Sequence, residues 1–274
     1  MHLKLGFWTD REYHLDKMNL SQLTAAYFQY YAIAAYLFVA FLLSLFVFYS
    51  LINMNISLSS FALSVLVPII IYPMVWYSLH RWVLHSRWMW KSKLTAPIWK
   101  RIHYDHHADP NNLKVLFGAL YTTLPTVIIA TVPFGFYFGD IQGAATALCV
   151  GILTTCFYEF IHCIEHLGYM PKSRWLRELK RLHMAHHFHN ETGNFGITNF
   201  FCDWLLGTMY QKNKQKPRSE TVFNLGYDED VALKYPYVAK LTPEWPPHTA
   251  DPVKRQRFYN KDDKGELVTS VPNF

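Results

Sequence analysis

His103-Tyr104-Asp105-His106-His107 places three imidazoles within five residues, and three further groups surround it: His80 with His85, His162 with His166, and His183 with His186 and His187. Ten of the chain's 14 histidines sit in these four groups. On a helix, positions i, i+3 and i+4 share a face because each residue turns by about 100°. The groups at 103–107, 162–166 and 183–187 can therefore each present two or three imidazoles in one direction. Neutral imidazole is the commonest metal ligand, and an all-nitrogen set suits iron, zinc, copper or nickel. One ion rarely takes more than about six protein ligands, so ten imidazoles point to two ions. His80 and His85 are five apart, about 140° on an ideal α-helix. That spacing predicts that the helix ends between them or that they serve different ions.

The rest of the chain places these groups beside a membrane. Residues are 51% hydrophobic and 17% aromatic, and the apolar ones fall in runs. Ala26 to Ile52, Leu58 to Leu79, Val115 to Gly139 and Ile141 to Cys163 are nearly free of charge and long enough to cross a bilayer. Pro68 and Pro73 should kink the second run. Only Gly139-Asp140 joins the third and fourth, which predicts a tight helical hairpin. Met1 to Leu20 carries charges and no apolar core, unlike a cleaved signal peptide. The expected fold is all-α: an integral membrane protein of about four transmembrane helices with a cytosolic helical cap that holds the histidine-rich site. Residues 1–274 form one domain with its core at 70–210, and 211–274 reads as a polar tail with little regular structure.

Orientation follows from Lys and Arg. Arg81, Arg87, Lys91, Lys93, Lys100, Arg101 and Lys114 lie between the second and third runs, and Lys172, Arg174, Arg177, Lys180 and Arg181 follow the fourth. The positive-inside rule puts both basic segments, both termini and all four histidine groups in the cytoplasm. The net charge of +6 is then a topology signal rather than a nucleic-acid footprint, and Trp82, Trp88, Trp90 and Trp99 form an interfacial belt. Cys149, Cys156, Cys163 and Cys202 include no CxxC pair and read as buried free thiols. In the fourth run Gly151, Thr155, Tyr158, Glu159, His162 and His166 share one broad stripe. That stripe is either the wall of a channel for an acyl chain or a seam of tight helix packing. Glu159 lies three residues before His162 in an otherwise uncharged span, where an acid is costly.

With these groups written out as HRWVLH (80–85), HYDHHADPNN (103–112), YEFIHCIEHLG (158–168) and HMAHHFHNETGNFGI (183–197), the chain resembles the membrane-bound fatty acid hydroxylase and sterol desaturase superfamily. Tyr158, Glu159 and Gly168 around the third group, Asn194-Phe195-Gly196-Ile197, and Asp203-Trp204 with Gly207-Thr208 are similar to the fatty acid 2-hydroxylase branch. The resemblance covers about residues 70 to 210. It implies an O2-dependent lipid hydroxylase with two metal ions held by His80, His85, His103, His106, His107, His162, His166, His183, His186 and His187. The ions would be iron, with zinc a substitute in isolated protein. Tyr158 and Glu159 are the candidate catalytic residues. Asp105, Asp109, Glu165 and Asp203 join Glu159 as outer partners that hold imidazole tautomers, and His189 is a ligand or merely a neighbour. The implied partners are a lipid substrate within the bilayer and a separate electron-transfer protein, since the sequence has no cytochrome-like module. The membrane is endoplasmic reticulum or a bacterial inner membrane. A desaturase, or a sterol or carotenoid hydroxylase, would use the same scaffold. A metal transporter would keep its ionisable groups near the bilayer midplane, whereas here they gather at one end of the spans.

Overall fold

A computed structural model describes residues 2–242, so the end of the expected tail, 243–274, lies outside the described residues. Among them there is no β-strand, only two isolated bridges, Trp8 with Tyr30 and His14 with Asn112. Asn19 opens α1 (Leu20–Phe28) through a reciprocal capping box with Gln22. The uncharged run from Ala26 is then broken at Gln29-Tyr30, where the backbone bonds Trp8, and the long helix α2 (Tyr31–Ile52) starts five residues later than the sequence pattern implied. Helix α3 (Leu58–Ser78) contains both prolines and continues as a π-helical turn, Leu79–Leu84.

The connector to the next long helix is made of short turns: α4 (Ala96–Trp99), a π-helical Lys100–Tyr104, α5 (Asp105–Ala108) and α6 (Leu113–Leu116). Helix α7 (Leu120–His166) is helical throughout except at Gly139 and Asp140, where φ is −158° and +48°. There the chain doubles back, as the hairpin reading required. A Cβ at Gly135 would overlap the Gly143 carbonyl, and one at Gly151 would stand 2.8 Å from Thr131 Cγ2 and 2.9 Å from Val127 Cγ1. Thr155 is buried and turns its hydroxyl onto the Gly151 carbonyl. Gly151 is therefore a packing residue in the hairpin seam, and the channel-wall alternative fails for it.

Three helical stretches are long and apolar enough to cross a membrane: Tyr31–Ile52, Leu58–Leu84 and Leu113–His166, the last containing the hairpin. Helices α2 and α3 both pack on α7, while Phe41, Phe48, Ile70 and Ile129 point outward and are exposed. All four cysteines are free and buried. The amphipathic α8 (Arg174–Phe188), capped by Ser173, lies across one end of this bundle, followed by α9 (Phe201–Leu205) and α10 (Glu229–Lys234). The part of the tail before 243 packs back on the connector. Leu225, Tyr227, Ala232 and Val238 close a core with Trp90, Trp99 and Tyr104.

Candidate metal centre

Nine of the ten grouped histidines are buried and His85 is partly so. They gather where the C-terminal ends of α3 and α7 meet the connector and α8, and they form two sets. His106, His162, His166, His183 and His187 bring one ligand atom each within 4.8 Å of one another; His80, His85, His107 and His186 do the same. His103 lies against the second set, with its Nε2 2.8 Å from His85 Nε2. The two sets share a wall, since the His107 and His187 rings are 4.3 Å apart.

The imidazoles at 103–107 and at 183–187 do not each turn in one direction. His106, His183 and His187 turn to the first set, and His103, His107 and His186 to the second. The helix ends between His80 and His85, at Leu84, the first of the two alternatives: its last turn, Leu79–Leu84, is π-helical, the His85 amide bonds the His80 carbonyl at 3.0 Å, and their Nε2 atoms are 3.2 Å apart. A π turn widens the repeat from i+4 to i+5, so a five-residue spacing that is out of phase on an α-helix is in phase here.

The electrostatics of the second set call for a cation. His107 Nδ1 donates to the Val222 carbonyl at 2.8 Å, His186 Nδ1 to Gly193 at 2.8 Å and His80 Nδ1 to Phe195 at 2.6 Å. A carbonyl only accepts, so each Nδ1 carries the proton. Burial pushes the His85, His103, His107 and His186 imidazoles well below the ordinary 6.5, so the rings are neutral and each carbonyl-bound ring turns an Nε2 lone pair inward. His107 Nε2 and His186 Nε2 then face each other at 3.3 Å with no proton between them. Two ligand nitrogens about 2.1 Å from one ion, 90–109° apart, would stand about 3.0–3.4 Å from each other. The spacing fits an ion between them, and nothing else among the described residues reconciles it.

In the first set His183 Nε2 lies 3.0 Å from both His162 Nε2 and His166 Nε2. Among the described residues neither nitrogen of His106 or His187 has a hydrogen-bond partner, and Nδ1 of His166 and His183 also lacks one. Burial holds His106, His183 and His187 well below 6.5 as well. Orphaned buried nitrogens at this density are otherwise costly, and they fit a second ion.

The acids divide sharply. Glu165 is fully buried, with Oε2 3.9 Å from His183 Nδ1, so it stands beside an imidazole of the first set. Lys180, whose ammonium burial lowers to about 8, donates to the Glu165 and Leu167 carbonyls at the end of α7. Asp105 pairs with Lys100 at 2.7 Å, and Asp109 contacts Asn112. Asp203 accepts from the Phe195 and Gly196 amides and the Thr208 hydroxyl, so it holds the loop whose carbonyl holds His80. His189 stands outside both sets, its Nε2 2.9 Å from the Asn213 and Lys216 carbonyls. Sequence reasoning missed the carbonyls of Gly193, Phe195 and Val222, because a main-chain acceptor leaves no mark on residue type. The segment Asn194-Phe195-Gly196-Ile197 is singled out by resemblance alone, and in the structure Asn194 lies in the left-handed region at φ 56°.

A cavity of about 220 Å³ opens against His80, His103, His106, His162, His183 and His187. Leu79, Val83, Ile98, Ile102, Leu116 and Ile197 give it apolar walls, and Glu159 and Tyr158 also line it. Tyr158 stacks on Trp76, with ring centroids 5.6 Å apart, and its ring lies 6.3 Å from that of His162. The arrangement can place an apolar chain against two ions in a site shielded from water.

The profile of the fatty acid hydroxylase family matches residues 65–208. The chain is similar to the ceramide very long chain fatty acid hydroxylase of Saccharomyces cerevisiae, 25% identical over 163 residues, 57% of this chain and 40% of that protein. It is also similar to a dihydroceramide fatty acyl 2-hydroxylase of Arabidopsis thaliana, 29% identical over 62% of this chain and 69% of that protein. With the beta-carotene hydroxylase of a Paracoccus species it shares 24% identity over 46% of this chain and 73% of that one. The chain thus spans well under half the length of the yeast relative. No solved structure matches it.

Proposed function

The chain belongs to the fatty acid hydroxylase family, and on that premise we propose that it is a membrane-embedded dimetal hydroxylase acting on a C–H bond of a fatty-acyl chain, such as the acyl chain of a sphingolipid. The activities for which the yeast and Arabidopsis relatives are named support this choice of substrate. The observation that carries the reading is the pair of facing lone pairs on His107 and His186, 3.3 Å apart, beside a cavity with apolar walls. Two bound ions, iron by the family resemblance, supply the activation of O2. The reaction consumes RH, O2, two electrons and two protons and yields ROH and water, so a separate redox protein must deliver the electrons.

The chain's own residues do the rest. His106, His162, His166, His183 and His187 would hold one ion, and His80, His85, His103, His107 and His186 the other. The carbonyls of Phe195, Gly193 and Val222 keep Nδ1 protonated and Nε2 free, which fixes both tautomer and aim. The apolar walls orient the acyl chain and exclude water, which protects a reactive oxidant from side reactions. Tyr158 touches the chain as part of an aromatic wall. Both limbs of α7 cross the bilayer, giving four crossings with the termini, the basic segments and the metal end on the cytosolic side.

Lipid analysis of a host with and without the gene tests this reading: a 16 Da gain on an acyl chain is expected, together with about two metal equivalents in purified protein. The beta-carotene hydroxylase similarity keeps one second reading in view, in which the hydroxylated product is an isoprenoid. A product lighter by two hydrogens would mark a desaturase.

A further inference from the structure

One loop serves the second set of imidazoles in two ways. Residues 189–193 leave the end of α8, and the Gly193 carbonyl accepts from His186 Nδ1 directly. The same loop clasps the segment 213–222. His189 Nε2 donates to the Asn213 and Lys216 carbonyls at 2.9 Å. Asn190 Nδ2 donates to the Pro217 carbonyl at 2.8 Å, and the His189 carbonyl accepts from the Ser219 amide at 2.8 Å. Glu191 Oε1 then accepts from the Thr221 hydroxyl. The next carbonyl along that segment, at Val222, is the one that accepts from His107 Nδ1. His107 and His186 are the pair whose Nε2 atoms face each other at 3.3 Å. One loop therefore aims both rings, His186 through its own main chain and His107 through the clasp.

The last contact of the clasp is the one that reaches His107. Glu191 is 5% exposed, and its Oε2 has no hydrogen-bond partner among the described residues. A buried carboxyl with one oxygen bare is costly, and a tie between two surface loops needs no such group. Thr221 is rigid enough to pass its position on: its amide donates to Ser219 Oγ at 3.2 Å and its carbonyl accepts from the Leu225 amide at 2.7 Å. Beyond Val222 the chain is fixed separately, by Leu225 and Tyr227 in the core with Trp90 and Trp99. Taking the dimetal hydroxylase reading as given, we infer that Glu191 is a positioning residue of the second metal set. Its contact with Thr221 keeps the Val222 carbonyl on His107 in register with the Gly193 carbonyl on His186. Glu191 lines no part of the cavity, so its action on the centre runs through Thr221 and Val222. Without the contact, His107 loses the acceptor that fixes its Nδ1 proton and aims its Nε2 lone pair. Among the described residues no first-set imidazole is bonded to this segment, so that set is spared.

The experiment uses the full chain, zinc-loaded, in phosphatidylcholine nanodiscs, and follows both ions by chelator competition. His186→Ala, which removes a second-set ligand directly, identifies the equivalent that belongs to that set. Glu191→Ala should weaken that same equivalent by about 10-fold or more and leave the other unchanged. Glu191→Gln, which keeps an oxygen for the Thr221 hydroxyl, should restore wild-type affinity. Thr221→Val should reproduce the loss, and the double variant Glu191→Ala with Thr221→Val should lose no more than either alone, because both break one contact. Full affinity in Glu191→Ala, equal weakening of both ions, no rescue by glutamine or an additive double variant would overturn the proposal. Thr221→Val carries the test if Glu191→Ala does not fold. Wild-type protein that holds fewer than two ions would remove the dimetal reading, and the proposal with it. Failure of the hydroxylase reading alone is seen separately, as the predicted affinities in a protein that yields no hydroxylated lipid when a reductant and O2 are supplied.

Discussion

Glu165 and Asp105 show how little residue type says about role when two acids sit beside the same histidines. Both were candidate outer partners on sequence grounds. Glu165 is fully buried and stands 3.9 Å from His183 Nδ1, whereas Asp105 is taken up by Lys100 at 2.7 Å. With an ion on His183 Nε2, the ring's Nδ1–H requires an acceptor, and Glu165 is the group placed to provide it. Outer partners of this kind are worth about 10–100-fold in metal affinity. Glu165→Gln should therefore weaken one of the two metal equivalents by about 10-fold or more in a chelator competition, while Asp105→Asn leaves both unchanged. Equal retention in both variants would remove Glu165 from the centre. The ligands themselves were legible because imidazole clusters are rare and chemically explicit. Which ion each serves was not legible, because His106 and His107 are adjacent in sequence and face opposite sets.

The π-helical turn at Leu79–Leu84 is the element that α-helical periodicity does not describe. An α-helical repeat puts His80 and His85 about 140° apart, and only the i+5 bond from the His85 amide to the His80 carbonyl brings their Nε2 atoms to 3.2 Å. A π turn is an α-helix with one residue too many, so deleting Val83 should restore the α repeat with His85 four residues after His80 and still on its face. The expected result is a folded protein that keeps both metal equivalents. Loss of one would mean that the π turn itself is needed to aim His85. The α7 hairpin was legible for the opposite reason: a charged, glycine-containing break in a long apolar run has few other outcomes. The role of its small residues was not, since a stripe of Gly and Thr suits a channel and a seam alike. With Gly151 pressed on Val127 and Thr131, Gly151→Leu should destabilise the protein by about 1–3 kcal/mol or more. Activity should fall alike for short and long acyl chains, as read by thermal unfolding and chain-length profiling.

Across the molecule, the polar chemistry and the basic residues lie at one end of the bundle and the bare turns at the other. At the bare end, a Cβ on Gly139 would stand 3.0 Å from Ile56 Cδ1, so the turn within α7 meets the linker between α2 and α3. Around these two turns the only charge is Asp140. At the histidine end lie Arg87, Lys91, Lys93 and Lys172 with the amphipathic α8. Such a distribution of Lys and Arg sets orientation during insertion, and it predicts that Asn55 and Leu94, both exposed, lie on opposite sides of the membrane. The four native cysteines are buried, so a membrane-impermeant maleimide would report on an introduced thiol with little background. In sealed inside-out vesicles Leu94→Cys should label and Asn55→Cys should not, and the pattern should reverse in right-side-out vesicles. Labelling of both from one side would mean that the α2–α3 pair does not cross the bilayer as a hairpin, and the placement of the metal end in the cytosol would fall with it.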